Sequence, residues 1–493
     1  MNPKTSIKPG WGLPLMAVCW LAAIALAIHS ANAAPVKSAD FQELDAVIAA
    51  QMQKHGLPGV VVAVIEGDDI AYLRGYGTAG SGRIMTPQTR MFIGSQSKSF
   101  TALAIAQLAE AGKVELDAPV QTYIPWFRVA NEQASAQITI RHLLQHTSGL
   151  SDSGYSVVVP DDASLEESVR LLKHARLTAP VGTRFQYFNL GYSVLGHLIE
   201  WCSGETYADY IQASIFAPLG MDSSTARPRG ALDVAQGYTR LFGFNVPMVQ
   251  PVPEFGIPAG YIVSTAKDMA RYALAIKDGG AGLVSPQMMR QILAPGLDYY
   301  GFGWFIYDNG KLIMHGGANE TFGADVSLYP HADRAFVVLI NQGHQFDHFV
   351  SRKQVRDDIE DIVLGRVTEH ITEGWSVRWM GWGVGLLTLV LTFFQTRGLL
   401  NLRGWRERTK NLSRGKLAWD IALSFLIPTV ITAVVLTQVK AFYGYRFNLV
   451  STLVTMRLVL PDIFLLMLIG ILPDYIQGGF KLFSLRKKSC ILQ

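Results

Sequence analysis

Charged side chains are scarce in this chain of 493 residues, at 17% of the sequence, whereas hydrophobic residues make up 49%. Soluble domains usually carry about 25% charged residues. Together with a mean hydropathy of +0.21, this shortage argues against an entirely soluble enzyme and indicates membrane segments. The net charge is only +4, so we expect no nucleic-acid partner.

Cysteine is almost absent as well. The three cysteines are Cys19, Cys202 and Cys490. Only Cys202 falls in the long middle part of the chain, so no disulfide can form within that part, and its stability must come from a hydrophobic core. The sequence also lacks a P-loop and a dinucleotide-binding fingerprint, so we expect no cofactor.

Metal-ligand motifs are missing too. His142 and His146 are four residues apart on a predicted helix, and His344 and His348 repeat that spacing. Zinc hydrolases with a His-Glu-x-x-His motif need a glutamate directly after the first histidine, where this chain has Leu143. We therefore predict no catalytic metal.

Residues 1–33 have the three parts of a secretory signal peptide. Lys4 and Lys8 provide a basic start, Leu13–Ile28 an apolar run, and Ala31–Ala33 an A-x-A cleavage site. An uncleaved membrane anchor is the alternative interpretation. In either case we expect the domain that follows to be exported.

The composition changes after the exported domain, which we expect over residues 34–366. A linker (367–374) leads to a predicted transmembrane domain (375–493). Three apolar runs in it are long enough to cross a hydrocarbon layer of roughly 30 Å. The predicted helices cover about 376–396, 417–439 and 452–476.

Two basic clusters set the expected orientation. One lies between the first two spans and the other follows the third; their members are Arg397, Arg403, Arg406, Arg408, Lys410, Arg414, Lys416, Lys481, Arg486, Lys487 and Lys488. Loops rich in Lys and Arg stay in the cytoplasm, so three spans place the large domain on the opposite side. We expect a multi-pass protein of a bacterial inner (cell) membrane with that domain in the periplasm or outside the cell. Whether the bundle also forms a homo-oligomer is left open.

The stretch Phe92–Lys113 holds a Ser-x-x-Lys pair, Ser95 and Lys98, followed by an almost uncharged run. That run is rich in helix formers and predicts a buried helix. Residues three apart lie on one helix face, so the amine can reach the hydroxyl. Burial disfavours the charged form of lysine, so Lys98 can act as the base for Ser95. Taken alone, a solvated helix face is the alternative.

Strand-like segments flank a helical middle part. A helical pattern over Asp40–His55 precedes the first of them, and Val355–Leu364 is an amphipathic closing helix. The strand-like segments are Val60–Ile65, Ile70–Tyr76, Gly303–Tyr307, Lys311–His315, Phe322–Tyr329 and Ala335–Asn341. We predict an α/β fold in which both ends of the domain complete an antiparallel sheet flanked by helices, with an all-helical subdomain between them.

Two further segments can complete a site. In Tyr187-Phe188-Asn189, an extended backbone would turn the phenol and the amide towards one cleft. A cation such as Lys98 would lower the pKa of Tyr187, which could then carry a proton. A packed tyrosine and a turn asparagine are the alternative.

The second segment is His315-Gly316-Gly317-Ala318, which we expect at the end of a strand. Two glycines there would let a substrate lie against the backbone. The N–H groups of Ala318 and Ser95 can then form an oxyanion hole. A plain loop histidine is the alternative.

The order of these elements resembles the serine penicillin-binding and class C β-lactamase family. The resemblance covers Asp40–Leu364 and includes the blocks GSQSKSFTA, ITIRHLLQHTSGL, FQYFNLGYSVLGHLIE, PAGYIVSTAKDMARY, YGFGW and HGGANETFG. It implies a β-lactamase/transpeptidase-like fold and a serine hydrolase that works through an acyl-enzyme.

The resemblance also implies a role for each matched residue. Ser95 would be the nucleophile, Lys98 its base and Tyr187 the proton relay. The substrate-binding positions would be Asn189, His315, Gly316 and Gly317; Asn319, after the glycine pair, would be another, because it matches the pattern of prodrug-activating peptidases. His315-Gly316-Gly317 stands where the family has Lys-Thr-Gly, and a mostly neutral histidine cannot hold a carboxylate as lysine does. This departure argues against a carboxypeptidase or an efficient β-lactamase.

The wider architecture resembles the prodrug-activating peptidases of non-ribosomal peptide pathways, colibactin maturation among them. That resemblance implies removal of an N-acyl-D-aminoacyl cap from a small peptide or lipopeptide, in antibiotic maturation and self-protection. Phe92 and Gly256 stand where those peptidases carry an acidic residue and a histidine, so no preference for D-asparagine is implied. The alternatives are a D-alanyl-D-alanine carboxypeptidase, a β-lactamase or an esterase of the same family, or a penicillin-binding sensor that acylates without turnover.

Overall fold

An antiparallel sheet lies at the centre of the large N-terminal domain. The computed structural model describes residues 39–155, 157–366, 376–443, 457 and 460–489, so the predicted signal peptide and linker lie outside the described residues. The strands are β1 (Gly59–Glu66), β2 (Asp69–Gly80), β3 (Arg83–Ile84), β4 (Met91–Phe92), β5 (Gly237–Leu241), β6 (Phe244–Met248), β7 (Val263–Ser264), β8 (Phe305–Tyr307), β9 (Leu312–Ala318), β10 (Gly323–Tyr329) and β11 (Arg334–Ile340). Within the described residues, seven of them form the sheet in the order β3-β2-β1-β11-β10-β9-β8.

Helices cover both faces of this sheet. Those of the N-terminal domain are α1 (Phe41–His55), α2 (Ser97–Glu110), α3 (Glu132–Gln137), α4 (Ile140–Leu144), α5 (Leu165–Leu171), α6 (Asn189–Ser203), α7 (Tyr207–Ile211), α8 (Ile257–Gly260), α9 (Ala266–Lys277), α10 (Pro286–Ile292) and α11 (Arg352–Val363).

The two ends of the domain meet in the middle of the sheet. Strand β1 pairs antiparallel with β11, with Val60 opposite Ile340 and Glu66 opposite Arg334. Since β1 is buried along almost its whole length, both of its faces need a cover of apolar side chains. The predicted α/β fold, with one sheet built from distant parts of the chain, is confirmed.

Alternate residues of β1 enter two separate cores. Val60, Val62 and Val64 pack with α1 and α11. Val61 and Ala63 belong to the larger core, which contains α2 and the helical middle part of the chain. The segment that carries Ser95 therefore lies between the sheet and the helical subdomain, where a cleft can form.

Strand β9 is longer than the sequence pattern predicts. We expected a strand over Lys311–His315 with Gly316 and Gly317 after it, but β9 extends to Ala318. Gly317 pairs with Ala324 of β10, and Ala318 with Gly323. The ladder keeps the glycine pair extended, so the strand continues past the end that was predicted at His315.

The expected extended stretch at Tyr187-Phe188-Asn189 also differs. Phe188 has extended backbone angles and caps helix α6, and Asn189 is the first residue of that helix. The phenol and the amide therefore approach the cleft from a helix N-terminus and not from a strand.

The C-terminal part is helical. Its helices are α12 (Val377–Asn401), α13 (Trp405–Arg408), α14 (Arg414–Tyr443) and α15 (Pro461–Ser489). Among the described residues, Val377–Asn401, Arg414–Val434 and Pro461–Ser484 are long and apolar enough to cross a membrane. This agrees with the number of spans that the sequence predicts.

The third helix is displaced relative to the prediction of 452–476. It begins at Pro461, a residue suited to the first turn of a helix, and continues to Ser489, because apolar side chains recur beyond 476. Lys481 therefore lies inside α15, where its Nζ is 3.0 Å from Asp420 of α14. Residues 452–456 and 458–459 of the predicted span lie outside the described residues.

Candidate active site

Two backbones meet at the nucleophile. Gly94 has φ = +56°, and a Cβ there would lie 2.4 Å from the Ala318 nitrogen. A Cβ on Gly317 would lie 2.0 Å from the Ile93 carbonyl oxygen. Only glycine permits both approaches. As a result Ser95 and Ala318 line the same cleft, where their N–H groups can form an oxyanion hole.

Lys98 lies on α2 behind Ser95 and is fully buried. Its Nζ is 3.3 Å from Ser95 Oγ, 2.8 Å from Asn189 Oδ1 and 2.6 Å from the Ala259 carbonyl oxygen. Burial lowers the pKa of Lys98 well below its ordinary value, although the charge of Asp152 acts in the opposite direction. The structure thus brings the Ser-x-x-Lys pair together as the sequence predicts.

The hydrogen bonds of Lys98 suit a neutral amine. The oxygens of Asn189 and Ala259 can only accept, and they use both N–H bonds of an uncharged amine. The lone pair of Nζ is then left for the hydroxyl proton of Ser95. A base in this state is ready to receive that proton when Ser95 attacks a carbonyl carbon.

Tyr187 lies on the other side of the lysine. Its ring centroid is 4.7 Å from Lys98 Nζ. Burial raises the pKa of Tyr187, and its hydrogen bond with Ser95 only partly opposes this effect. The pKa of Tyr187 is raised and not lowered as expected, because desolvation of the phenol outweighs the effects that lower it. Tyr187 is therefore a protonated phenol that can donate to a leaving group and recover a proton from Lys98.

A cleft of ≈ 250 Å³ opens beside Ser95. It is lined by Ser95, Asn189, Leu190, Ser193, Pro253, Phe255, Gly256, Ala259, Gly260, Tyr261, Ala318 and Asn319. None of these described lining residues is charged. The cleft therefore suits a neutral group, because a carboxylate there would lose its hydration without gaining a cation.

Asn189 and Asn319 offer complementary amide groups in this cleft. Asn189 Oδ1 accepts from Lys98, which leaves its N–H₂ for a substrate. Asn319 donates Nδ2–H to the Gly260 carbonyl oxygen at 3.0 Å, while its buried Oδ1 has no hydrogen-bond partner among the described residues. One asparagine can thus donate to a substrate C=O, and the other can accept from a substrate N–H.

His315 does not line this cleft. Its ring is 2% exposed; Nδ1 donates to the Gly316 carbonyl oxygen at 2.7 Å, and Nε2 accepts from the Tyr300 hydroxyl at 3.1 Å. Burial lowers its pKa to about 3. The predicted substrate contact by this side chain is therefore not among the contacts that the structure shows, whereas Gly317 positions the nucleophile turn.

Sequence reasoning considered His146 only as a metal ligand. The buried ring lies 4.3 Å from the Tyr187 ring and 4.9 Å from the Tyr300 ring, measured between centroids. Its Nδ1 accepts from the Phe188 N–H at 3.2 Å. His146 thus forms the wall behind Tyr187, and its place in the HTSGL block was the available signal.

The histidine pairs do not form metal sites in the described part of the chain. His142 Nδ1 accepts from the Thr139 N–H and so belongs to the capping box of α4. That helix ends at Leu144, and His146 has φ = +56°. The described residues contain no group of three His, Cys, Asp or Glu that could hold a metal ion.

A model of the family described as Beta-lactamase matches residues 44–360. This chain belongs to the Beta-lactamase family. Members of the family are serine hydrolases, as the Ser95–Lys98–Tyr187 arrangement would require. The family match covers the sheet, the helical subdomain and the cleft.

Individual relatives agree with this assignment. The chain is 30% identical over 331 residues to the unguisins hydrolase ungD' of Aspergillus campestris, covering 61% of each chain. It is 28% identical over 320 residues to protein flp of Staphylococcus aureus, covering 62% of this chain and 64% of that protein. The chain thus spans less than two thirds of the length of these curated relatives.

Solved structures show the same fold. The octameric penicillin-binding protein homologue from Pyrococcus abyssi superimposes with a TM-score of 0.58 at 28% identity, covering 66% of this chain and 78% of that one. A D-amino acid amidase from Ochrobactrum anthropi superimposes with a TM-score of 0.55 at 22% identity, covering 65% and 99%; the second likeness concerns the fold alone.

Proposed function

We propose that this protein is a membrane-anchored serine peptidase that removes an N-acyl-D-aminoacyl cap from a small peptide or lipopeptide outside the cytoplasm. Support comes from the neutral cleft with its pair of asparagine amides. An acylated amino acid presents one C=O and one N–H on the acyl side of the scissile bond, which match Asn189 and Asn319. The preference for a D residue rests on the resemblance to prodrug-activating peptidases.

The reaction would proceed in two halves. Ser95 Oγ attacks the carbonyl carbon while Lys98 takes its proton, and the Ser95 and Ala318 N–H groups stabilise the oxyanion. Tyr187 gives its proton to the leaving amine and is reprotonated by Lys98. Water then hydrolyses the acyl-enzyme by the reverse proton path, which regenerates Ser95 and releases the N-acyl amino acid.

The membrane helices would hold this site next to a lipid bilayer. The starts of α12 and α15 contact the catalytic domain, and the basic residues around α13 lie at the other end of α12. By the positive-inside rule this arrangement favours a catalytic domain outside the cytoplasm. Such an anchor suits a substrate that carries an acyl tail.

Intact-mass analysis of the full-length protein tests the proposal. We expect a peptide with an N-acyl-D-aminoacyl cap to give a transient acyl adduct and rapid release of the free amine, and its L isomer to give neither. Ser95→Ala should abolish the adduct without lowering Tm.

The alternatives give other patterns in the same assay. A stable penicillin adduct without turnover of capped peptides would favour the sensor. Release of D-alanine from a peptide ending in D-alanyl-D-alanine, with no action on capped peptides, would favour a carboxypeptidase. Either result would contradict the proposed peptidase.

A further inference from the structure

The membrane helices meet the catalytic domain at a buried polar contact. A carboxylate oxygen of Asp462, in the first turn of α15, lies 3.4 Å from His344 Nε2, and both side chains are 1% exposed. His344 Nδ1 accepts from the Phe346 N–H at 3.3 Å, so Nε2 carries a proton and can donate. Nε2 makes no hydrogen bond among the described residues, but its approach to the Asp462 carboxylate places the start of α15 directly against the segment that carries His344.

The same short segment reaches the oxyanion hole. We define the oxyanion loop as Ala318–Phe322, which follows the glycine pair. His348, one turn after His344, has its Nε2 2.9 Å from the Asn319 carbonyl oxygen. A carbonyl only accepts, so the ring donates; burial lowers its pKa to about 4, and it is neutral at pH 7. His348 thus holds the carbonyl group of the residue that follows Ala318.

A second connection runs from α12 to the other end of the loop. The backbone of α12 lies directly against the β5–β6 hairpin, since a Cβ on Gly381 would be 2.2 Å from the Gly243 nitrogen. After the hairpin, Gln250 Oε1 accepts from the Thr321 N–H at 3.1 Å and from its hydroxyl at 2.7 Å. Both ends of the loop are therefore held by segments that contact the membrane helices.

We infer that docking of the membrane helices positions the oxyanion hole, with His344 and His348 transmitting the position of Asp462 to the Asn319 carbonyl. These are positioning residues, because none of them lines the cleft. A small displacement of this loop would move the Ala318 N–H relative to the developing oxyanion and slow the chemical step more than binding. The inference rests on the proposed hydrolase activity but not on the identity of the cap.

Kinetics of full-length protein in nanodiscs test it, with both a capped peptide and p-nitrophenyl acetate as substrates. We expect Asp462→Asn to lower kcat about tenfold while KM changes less than about twofold. His348→Leu should lose at least as much. His348→Gln, which keeps an N–H donor, should recover part of kcat.

The matched control is Asp420→Asn, since Asp420 is also an acidic residue of the bundle but pairs with Lys481 of a neighbouring membrane helix. We expect its kcat to equal that of the wild type.

The double variant Asp462→Asn/His348→Leu should lose less kcat than the product of the two single losses. Equal kcat in Asp462→Asn, Asp420→Asn and wild type would overturn the inference, as would equal losses in His348→Leu and His348→Gln. Ester turnover without peptide turnover in the wild type would contradict the proposed substrate. The kcat values of the variants could then still be compared with the ester.

Discussion

Two buried lysines in apolar helices of this protein differ in the groups that surround their amines. Lys98 of α2 is fully buried, and its hydrogen bonds go to neutral oxygens, of Ser95, Asn189 and Ala259. Lys481 of α15 is 10% exposed at its side chain and lies 3.0 Å from the Asp420 carboxylate.

The difference between them lies in the counter-ion. A buried lysine with neutral partners keeps its desolvation penalty and lowers it by losing its proton, which makes it a base. A lysine beside a carboxylate has a counter-ion and can join two helices. Burial of a lysine therefore does not by itself indicate catalysis; the partner decides.

Of the substitutions that test this comparison, removal of Lys98 should have the largest effect on kcat. We expect Lys98→Met to lower kcat about 10³-fold or more, because the general base is lost. Tm should stay equal or rise, since methionine fills the site without a desolvation penalty. Steady-state kinetics and thermal unfolding check both parts; retained activity would show that another group deprotonates Ser95.

The pH dependence of stability sharpens the same point. The pKa of Lys98 is lowered in the folded protein, so below pH 10.5 the unfolded chain binds a proton that the folded chain does not. As the pH falls below 10.5, the free energy of unfolding of the wild type should therefore decrease relative to that of Lys98→Met. The decrease is about 1.4 kcal/mol for each pH unit until the folded-state pKa of Lys98 is reached.

Chemical denaturation of both proteins at about pH 8 and about pH 10, roughly 2.5 and 0.5 units below the ordinary lysine pKa, measures this difference. Ser95→Ala keeps the lysine and should follow the wild type. A difference that does not change with pH would mean that Lys98 stays protonated in the folded protein.

Much of the architecture could be predicted because it depends on local patterns. Short runs of β-forming residues predicted the strands that pair as β1 and β11, and longer apolar runs predicted three long C-terminal helices. The predicted end of the strand at His315 was too early, because glycine usually ends a strand. Here the close approach of the Ile93 backbone requires glycine within β9.

The parts that the sequence did not reveal depend on burial and on distant partners. The raised pKa of Tyr187 follows from desolvation of its phenol by the surrounding side chains, which no spacing of residues encodes. His146 stands behind that phenol because α4 and α6 bring it there. The contact of His344 with Asp462 joins residues more than a hundred positions apart, so neither histidine spacing nor hydropathy could suggest it.

Substitution of Lys481, which pairs with Asp420, should have the smallest effect on stability and kcat. Lys481→Met leaves Asp420 without its cation, although Trp405 Nε1–H still donates to that carboxylate at 2.9 Å. The Asp420 side chain is 43% exposed, so we expect a loss of about 1 kcal/mol or less in stability and unchanged kcat. Lys481→Arg should restore Tm. A loss of kcat in Lys481→Met without a change in Tm would mean that the distal end of the bundle also acts on the active site. The partner of a buried lysine would then not decide whether that lysine affects catalysis.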